Sequence, residues 1–364
     1  MDWLGENIKI MAKSKKISIA EVARLLQVSR QTVNDWIKGQ VPKGNHLVGL
    51  SSILGVDPIE FFSKEASDSI SLPAHRTRRS AKVNAIMDAD ALELAKEYEN
   101  FFRNCPENNL VPVVRVTEIN EKSALKIAKD LRNFVNVQDG IPIDYQEAFS
   151  LMKHLGIKII FRYFPEKIKS YAFYTKIHGH RVVFVNNSTN VIDLIFQLIH
   201  ESVHAIRDEV PVDGFYSNEE EKFCDMVANF TQFPDVYVDK IYKHIDGQTI
   251  GAQINTLKLF SKDNKHSLFG IVESIKKINH NFKLNVGGAD TNLKKEFPLI
   301  GDILFSDSDP RNFVERLNKL SPLFVSSLAG QIDNITDRKL AELLGLDNGV
   351  DGKELRNELL KVKD

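Results

Sequence analysis

Two histidines and a glutamate in the middle of the chain have the types and spacing of a zinc site. Residues 198–209 read LIHESVHAIRDE, in which His200, Glu201 and His204 form the pattern H-E-x-x-H. Residues four apart on a helix share one face, so both imidazoles can bind one Zn²⁺ ion. Glu201 would reach a water at the open coordination position, take its proton and pass it to a leaving amine. The pattern predicts zinc-assisted peptide hydrolysis; the plainer alternative is a helix with two hydrogen-bonded histidines and a surface glutamate.

A third ligand is expected downstream, because catalytic zinc is normally held by three protein side chains. In SNEEEKFCDMVANFTQFP (217–234), Glu221 and Asp225 are one helical turn apart. Glu221 can bind the metal, while Asp225 can orient a ligand histidine through its other ring nitrogen. The two preceding glutamates remain alternatives, since three glutamates also favour a helix N-terminus. Cys224 is interpreted as a small buried residue and not as a ligand.

The stretch from about 120 to 235 resembles the ImmA/IrrE family of zinc metallopeptidases. The resemblance includes A-x-x-L-R at 128–132, the H-E-x-x-H helix, and E-x-x-C-D-x-V-A from Glu221, where the family reads roughly E-x-x-A-N-x-F-A. It implies a zincin-like fold. Family members cut helix-turn-helix repressors, often under stress, and some are antitoxins encoded beside toxin genes. The resemblance therefore implies a repressor as protein substrate, and it includes a toxin among the candidate partners.

Residue by residue, the resemblance implies one Zn²⁺ per chain bound by His200, His204 and Glu221, with Glu201 as the general base. Besides zinc, a hydrolase of this type needs a group that stabilises the oxyanion. Tyr216, just before the segment with Glu221, is our candidate for that role.

The surrounding sequence predicts the elements that must position these side chains. IKIIF (157–161) is a β-branched run and hence a strand, while SYAFYTK (170–176) and RVVFVN (181–186) flank the turn IHGH and predict a hairpin. VIDLIFQLIHESVHAI (191–206) predicts a long, buried helix that carries the motif. If the protein is an enzyme, the hairpin strand at 170–176 offers an exposed edge to an extended substrate.

A second signal lies near the N-terminus. ISIAEVARLLQVSRQTVNDWIKGQVP (17–42) predicts two short helices with a tight turn at Gln27 and Val28, Ser29 as N-cap, and a second helix that ends at Gly39. This is helix-turn-helix geometry. The run A-x-L-L-x-V-S-R-x-T-V-x-x-W resembles the Xre-type (phage-repressor) helix-turn-helix.

That resemblance implies DNA binding through the second helix. Arg30, Gln31 and Thr32 would face the major groove, where Arg and Gln pair with guanine and adenine edges. The predicted DNA contacts are Ser29, Arg30, Gln31, Thr32, Asn34 and Lys38. A small helical domain that docks a protein partner is the alternative. A homodimer is also expected, because such proteins usually read two half-sites.

Composition narrows the class of protein. The chain has 364 residues, a net charge of −1, 43% hydrophobic and 27% charged residues, which is typical of a soluble globular protein. Two cysteines and no apolar run of about 18 residues predict a cytoplasmic protein with no membrane partner.

We therefore predict an α+β protein of four parts. These are an all-α helix-turn-helix domain (1–63), a polar linker (64–85), a zincin-like α+β domain with a small sheet (86–235) and a mostly helical C-terminal region (236–364). The function predicted first is a DNA-associated zinc endopeptidase in gene regulation. The alternative is a helix-turn-helix regulator or antitoxin whose zinc domain senses or packs without proteolysis.

Overall fold

The chain divides into two compact units, Met1–Ser69 and Ile70–Asp364. The computed structural model describes residues 3, 5–56, 61, 70–71, 74–77, 85–106, 114, 118–207, 218–346 and 349–363. Within these residues, no helix is both long and apolar enough to cross a membrane.

The described part of the N-terminal unit contains four helices. Its helices are α1 (Glu6–Ser14), α2 (Ile19–Leu25), α3 (Arg30–Ile37) and α4 (Gly44–Leu54). Gln27 has a φ of 56° in the turn between α2 and α3, and the Ser29 side chain accepts a hydrogen bond from the Thr32 amide at 3.0 Å. Val33 and Trp36 are buried in one small core with residues of the other helices. The predicted helix-turn-helix is confirmed.

A four-stranded sheet lies in the second unit. The strands are β1 (Ala74–Thr77), β2 (Lys158–Arg162), β3 (Ser170–Ile177) and β4 (His180–Asn186), in the spatial order β1-β3-β4-β2. β3 and β4 form the predicted antiparallel hairpin, and β2 runs parallel to β4. The small sheet predicted from the β-branched runs is therefore confirmed.

β1 is a departure from the prediction. The segment 64–85 was expected to be a linker, but its residues 74–77 pair antiparallel with β3. β3 consequently has a neighbour on each side, and the expectation of an exposed edge at 170–176 is wrong. The polar composition of the segment concealed the strand, because β1 obtains its pairing from a partner far away in sequence.

Helices surround the sheet. Before and beside it lie α5 (Ala85–Lys96), α6 (Glu99–Arg103), α7 (Glu121–Phe134), α8 (Tyr145–His154), α9 (Val191–Arg207) and α10 (Asn218–Gln232). α9 packs against β3, α8 and α10, and α10 packs against α7. An Asp144 capping box starts α8, since the Asp144 side chain accepts from the Glu147 amide and the Asp144 amide donates to Glu147 Oε2 at 2.8 Å. These contacts hold α9 between the sheet and α10.

The C-terminal region is helical, as predicted. It comprises α11 (Asp235–Ile245), α12 (Ile250–Asp263), α13 (Leu268–Ile278), α14 (Gly287–Lys294), α15 (Ile300–Leu304), α16 (Pro310–Leu320), α17 (Pro322–Gly330), a 3-10 turn (Ile332–Asn334), α18 (Asp337–Leu343) and α19 (Gly349–Lys363). Its apolar residues belong to the same hydrophobic core as the sheet and α9.

Specific polar contacts join this region to the sheet. The Ser321 hydroxyl accepts a hydrogen bond from the Ile159 amide at 3.0 Å and donates one to the Ile159 carbonyl at 2.7 Å. The buried Tyr98 hydroxyl donates to the Leu343 carbonyl at 2.9 Å. The expected boundary at 235/236 thus falls inside one compact unit.

Candidate metal centre

α9 places the H-E-x-x-H residues inside the protein. His200, Glu201 and His204 are each 1% exposed, and the apolar residues around them in the helix are also buried. His200 and His204 are one turn apart, and their Nε2 atoms lie 3.0 Å from each other. The two imidazoles therefore converge on one point beside the helix.

α10 brings a carboxylate to the same point. Glu221 lies 3.4 Å from His200 Nε2 through Oε2 and 3.3 Å from His204 Nε2 through Oε1. Ligands held about 2.0–2.1 Å from a tetrahedral zinc ion are about 3.3 Å from one another. The donor atoms of the three side chains lie within 4.8 Å of one another, so their types and separations fit a two-histidine, one-carboxylate zinc site.

The outer nitrogen of each histidine also faces α10. His200 Nδ1 lies 3.0 Å from Asp225 Oδ1, and His204 Nδ1 lies 3.7 Å from Cys224 Sγ. Outer contacts of this kind fix the orientation of a ligand imidazole and leave Nε2 for the metal. Asp225 therefore stands where the sequence pattern predicted an orienting carboxylate.

The geometry separates the three glutamates at the start of α10. Glu219 is exposed, while Glu220 is 5% exposed and pairs with the buried Arg207, whose Nη2 donates to Glu220 Oε2 at 2.9 Å and whose Nε donates to Oε1. Only Glu221 of the three faces both Nε2 atoms. Arg207 was not singled out from the sequence, because its spacing from His204 carries no zinc-site signal.

His204, Glu220 and Cys224 form a second group of close donors. Glu220 is engaged with Arg207, and burial raises the pKa of the Cys224 thiol well above its ordinary value. A thiol must lose its proton to bind a metal. The arrangement supports the interpretation of Cys224 as a buried side chain that packs against the His204 ring.

Electrostatics favour the ionisation states that a metal needs. Burial lowers the pKa of His204, so its ring is neutral near pH 7. Burial alone would raise the pKa of Glu221, but its contacts with His200 and His204 hold that pKa well below its ordinary value. Neutral imidazole and ionised carboxylate are the states in which these groups coordinate zinc.

A cavity of about 350 Å³ borders the centre. Its walls include Tyr171, Asp193, Phe196, Gln197, Asp225 and Lys277. Asp225 contacts His200, and the Phe196 ring centroid is 6.3 Å from that of His200. A second cavity of about 810 Å³ shares Asp225, Asn229 and Lys277 with the first. Both cavities thus reach Asp225, on the Nδ1 side of His200, and the described lining of neither includes His200, His204 or Glu221.

Of the two predicted catalytic residues, Glu201 lies among the described residues and Tyr216 does not. Glu201 follows His200 in α9, and its carboxylate oxygens are buried. Tyr216, the candidate oxyanion stabiliser, lies outside the described residues.

The predicted DNA contacts lie on and beside α3. Ser29 and Thr32 cap the helix through their hydroxyls, which are 2.8 Å apart, and Gln31 donates to Asp35 at 2.8 Å. Arg30 and Lys38 are exposed, and Asn34 is half-buried. The structure therefore keeps the charged members of the set accessible, while Ser29 and Thr32 stabilise the start of the helix.

Comparison with known proteins bears on the N-terminal unit. A helix-turn-helix family model matches residues 8–61. No curated protein and no solved structure gives a significant match. The chain thus contains a helix-turn-helix domain, which supports DNA binding through this unit, and the metal centre rests on its own geometry.

Proposed function

We propose that this protein is a DNA-associated zinc metallo-endopeptidase with a zincin-like catalytic domain, which regulates genes by cutting a helix-turn-helix repressor. The observation that carries the proposal is the convergence of His200, His204 and Glu221, on two packed helices, with Glu201 adjacent in the motif. These side chains are the donor set and the base that zinc peptidases require.

Each of the chain's residues has a distinct task in this proposal. Zinc, when bound, supplies a Lewis acid that polarises a peptide carbonyl and lowers the pKa of water. Glu201 accepts the proton of the attacking water and transfers it to the leaving amine. Asp225 keeps the His200 ring oriented from a distance of 3.0 Å. Tyr216 stays our candidate for stabilising the oxyanion.

The cavity beside the centre would receive substrate side chains. Phe196 and Tyr171 supply its aromatic wall, while Asp193 and Lys294 form an ion pair of 2.6 Å at its margin. Apolar walls with a few charged groups are typical of sites that bind one side chain of a peptide.

The N-terminal unit would bring the peptidase to its substrate. Arg30 and Gln31 would read base edges, and Lys38 would contact phosphate. A peptidase held at an operator meets a DNA-bound repressor at high local concentration. A homodimer would allow two half-sites to be bound at once.

A second candidate function is a DNA-binding regulator or antitoxin without proteolysis, with a toxin among its candidate partners. The family match at residues 8–61 supports its DNA-binding part, as it does for the first candidate function. Here zinc would stabilise the larger unit, and the damaging substitutions would be those in α3.

Metal content and cleavage, measured together, separate the two candidates. Wild type, Glu201→Gln and the matched control Glu219→Gln are compared by mass spectrometry for zinc, and by incubation with helix-turn-helix repressors encoded nearby. We expect one zinc per chain in all three and cleavage by wild type and Glu219→Gln only. Cleavage by Glu201→Gln would refute the role of Glu201. Zinc in all three without any cleavage would favour the regulator, and an absence of zinc would refute the metal centre.

A further inference from the structure

β1 covers the side of β3 that lies opposite β4. Its register pairs Ala74 with Tyr174, His75 with Phe173 and Thr77 with Ser170. The cover continues toward the N-terminus, where Ile70 bridges to Ile177. The chain therefore lays a segment of its own along the edge that the hairpin would otherwise present.

Ser71 holds this segment through hydrogen bonds of its backbone and its side chain. Its amide donates to the Lys176 carbonyl at 2.8 Å, and its side chain accepts from the Lys176 amide at 2.8 Å. The Thr175 hydroxyl donates to the Ser71 carbonyl at 2.7 Å. Between His75 and Thr77, by contrast, the register shifts, so the ladder of β1 is short and irregular. A short strand with an irregular ladder can be displaced without disturbing the rest of the sheet.

The covered edge leads to the candidate metal centre. β1 runs antiparallel to β3, so its last residue, Thr77, lies opposite Ser170. The next residue of β3, Tyr171, lines the cavity that Asp225 and Gln197 also line, and Asp225 contacts His200. β1 also packs against α9, the helix that carries both histidines. An extended peptide paired with β3 in place of β1 would therefore pass beside the cavity that Tyr171 and Asp225 line.

We propose that β1 is an internal occupant of a peptide-binding edge, and that an extended protein substrate gains access by replacing it on β3. The inference rests on the proposed function for its consequence, namely that the peptidase is restrained until β1 leaves. Strand addition to a sheet edge is a general way to hold an extended peptide, because main-chain hydrogen bonds provide affinity for many sequences. A tethered occupant competes strongly, since its local concentration is high.

Two opposite perturbations of β1 test the inference through activity. Ser71→Pro removes the amide that bonds to Lys176, and Ser71→Ala removes only the hydroxyl and serves as the milder variant should the proline variant fail to fold. Thr77→Cys combined with Ser170→Cys places a disulfide across the pair and locks β1 in place. We expect Ser71→Pro to cut unfolded casein at least fivefold faster than wild type, and the locked form at least tenfold slower until a reductant is added. Equal rates in all forms would overturn the inference.

Hydrogen exchange provides a readout that does not need catalysis. Zinc-loaded Glu201→Gln is incubated with excess unfolded casein, and amide exchange is followed in residues 70–77 and in β3. We expect the amides of 70–77 to lose protection while those of β3 keep it. If residues 70–77 lost protection but no form of the protein cleaved casein, the peptide-binding edge would be supported and the proposed peptidase activity would be refuted. Unchanged protection of 70–77, together with normal cleavage by wild type, would refute the role of β1 and leave the proposed function intact.

Discussion

Replacing Glu220 and Glu221 one at a time by glutamine should have opposite consequences, although the two residues are adjacent. Glu220 is 5% exposed and its partner Arg207 is 4% exposed, and Arg207 also lies 5.0 Å from the Phe223 ring centroid. Glu220→Gln keeps the shape of the side chain and removes the charge opposite a buried guanidinium. Glu221→Gln changes a side chain that is 35% exposed and faces the two histidines.

The size of the stability loss in Glu220→Gln follows from the burial of the Glu220–Arg207 ion pair. Breaking a buried ion pair costs about 3–5 kcal/mol of unfolding free energy. The glutamine carbonyl oxygen of Glu220→Gln can still accept from Arg207, which recovers about 1 kcal/mol. We therefore expect the larger unit to lose about 2–4 kcal/mol, equivalent to a fall in Tm of roughly 4–10 °C. Zinc binding should survive in this variant, since Glu220 does not face the Nε2 atoms.

The neighbouring variant should show the reverse pattern. Without metal, Glu221→Gln should change stability by about 1 kcal/mol or less, because its partly exposed contacts are screened by solvent. Wild type with zinc at about 1,000 times the Kd should gain about 4 kcal/mol, and Glu221→Gln should gain far less.

The assay is urea unfolding followed by circular dichroism, in EDTA and in excess zinc, with zinc content measured on the same samples. Glu219→Gln is the matched control, because Glu219 is exposed on the same helix turn. If Glu220→Gln unfolded at the wild-type urea concentration but lost its zinc, the roles assigned to the two glutamates would be exchanged and the reasoning refuted.

Three further predictions concern other parts of the molecule. Burial, together with Asp144, raises the pKa of Glu147 to about 7. A carboxyl group with a raised pKa in the folded state costs stability when it loses its proton. The unfolding free energy of wild type should therefore fall relative to that of Glu147→Gln between about pH 5 and pH 8. If the urea midpoints of wild type and Glu147→Gln differed by the same amount at pH 5 and at pH 8, the raised pKa of Glu147 would be wrong. Lys158 is 2% exposed, lies 3.2 Å from His180, and has a pKa lowered by burial, so Lys158→Met should add about 1–3 kcal/mol of unfolding free energy at neutral pH. A loss of stability in urea would show instead that the contacts of the ammonium with His180 and the Phe102 ring outweigh the cost of its burial. Arg30→Ala should weaken specific DNA binding by about 1–3 kcal/mol, whereas Lys38→Ala should weaken binding to all sequences alike and flatten its salt dependence. Gel-shift titrations at two salt concentrations distinguish these effects, and an unchanged Kd for both variants would argue for a protein-docking domain.

The N-terminal unit was predictable because its signals are local. Ser29 caps α3 three residues before the amide that it binds, and Val33 and Trp36 are buried on the same helix. The histidines were predictable for the same reason, since residues four apart on a helix share a face. Because these contacts join residues that are close in sequence, the spacing of the residues is enough to predict them.

The third ligand could be narrowed but not selected from the sequence. Three consecutive glutamates have similar helical propensity, and only the packing of α10 against α9 distinguishes them. Arg207, the last residue of α9, pairs with Glu220, which leaves Glu221 for the histidines. Which glutamate faces the histidines depends on a tertiary contact, and the periodicity of the sequence does not predict that contact.

β1 could not be predicted at all, because a strand of four residues has too few positions for an alternating pattern. Its partner lies about a hundred residues further along the chain, as the Ser71–Thr175 contact illustrates. The boundary predicted at 235/236 falls inside one compact unit for a related reason. Helical periodicity shows that a segment folds, but it does not show which core receives its apolar face.

The Ser321 hydroxyl has a practical consequence for how this protein can be divided. β2 is the last strand in the sheet order, and Ser321 satisfies both backbone groups of Ile159 on that strand. In a fragment that stopped at residue 235, the Ile159 amide and carbonyl would lose their hydrogen-bond partner. The apolar core residues that pack against the later helices would be exposed to water. Bare strands pair with copies of themselves, so such a fragment would aggregate. The two compact units meet at 69/70, and the part with the histidines should be produced with its C-terminal helices attached.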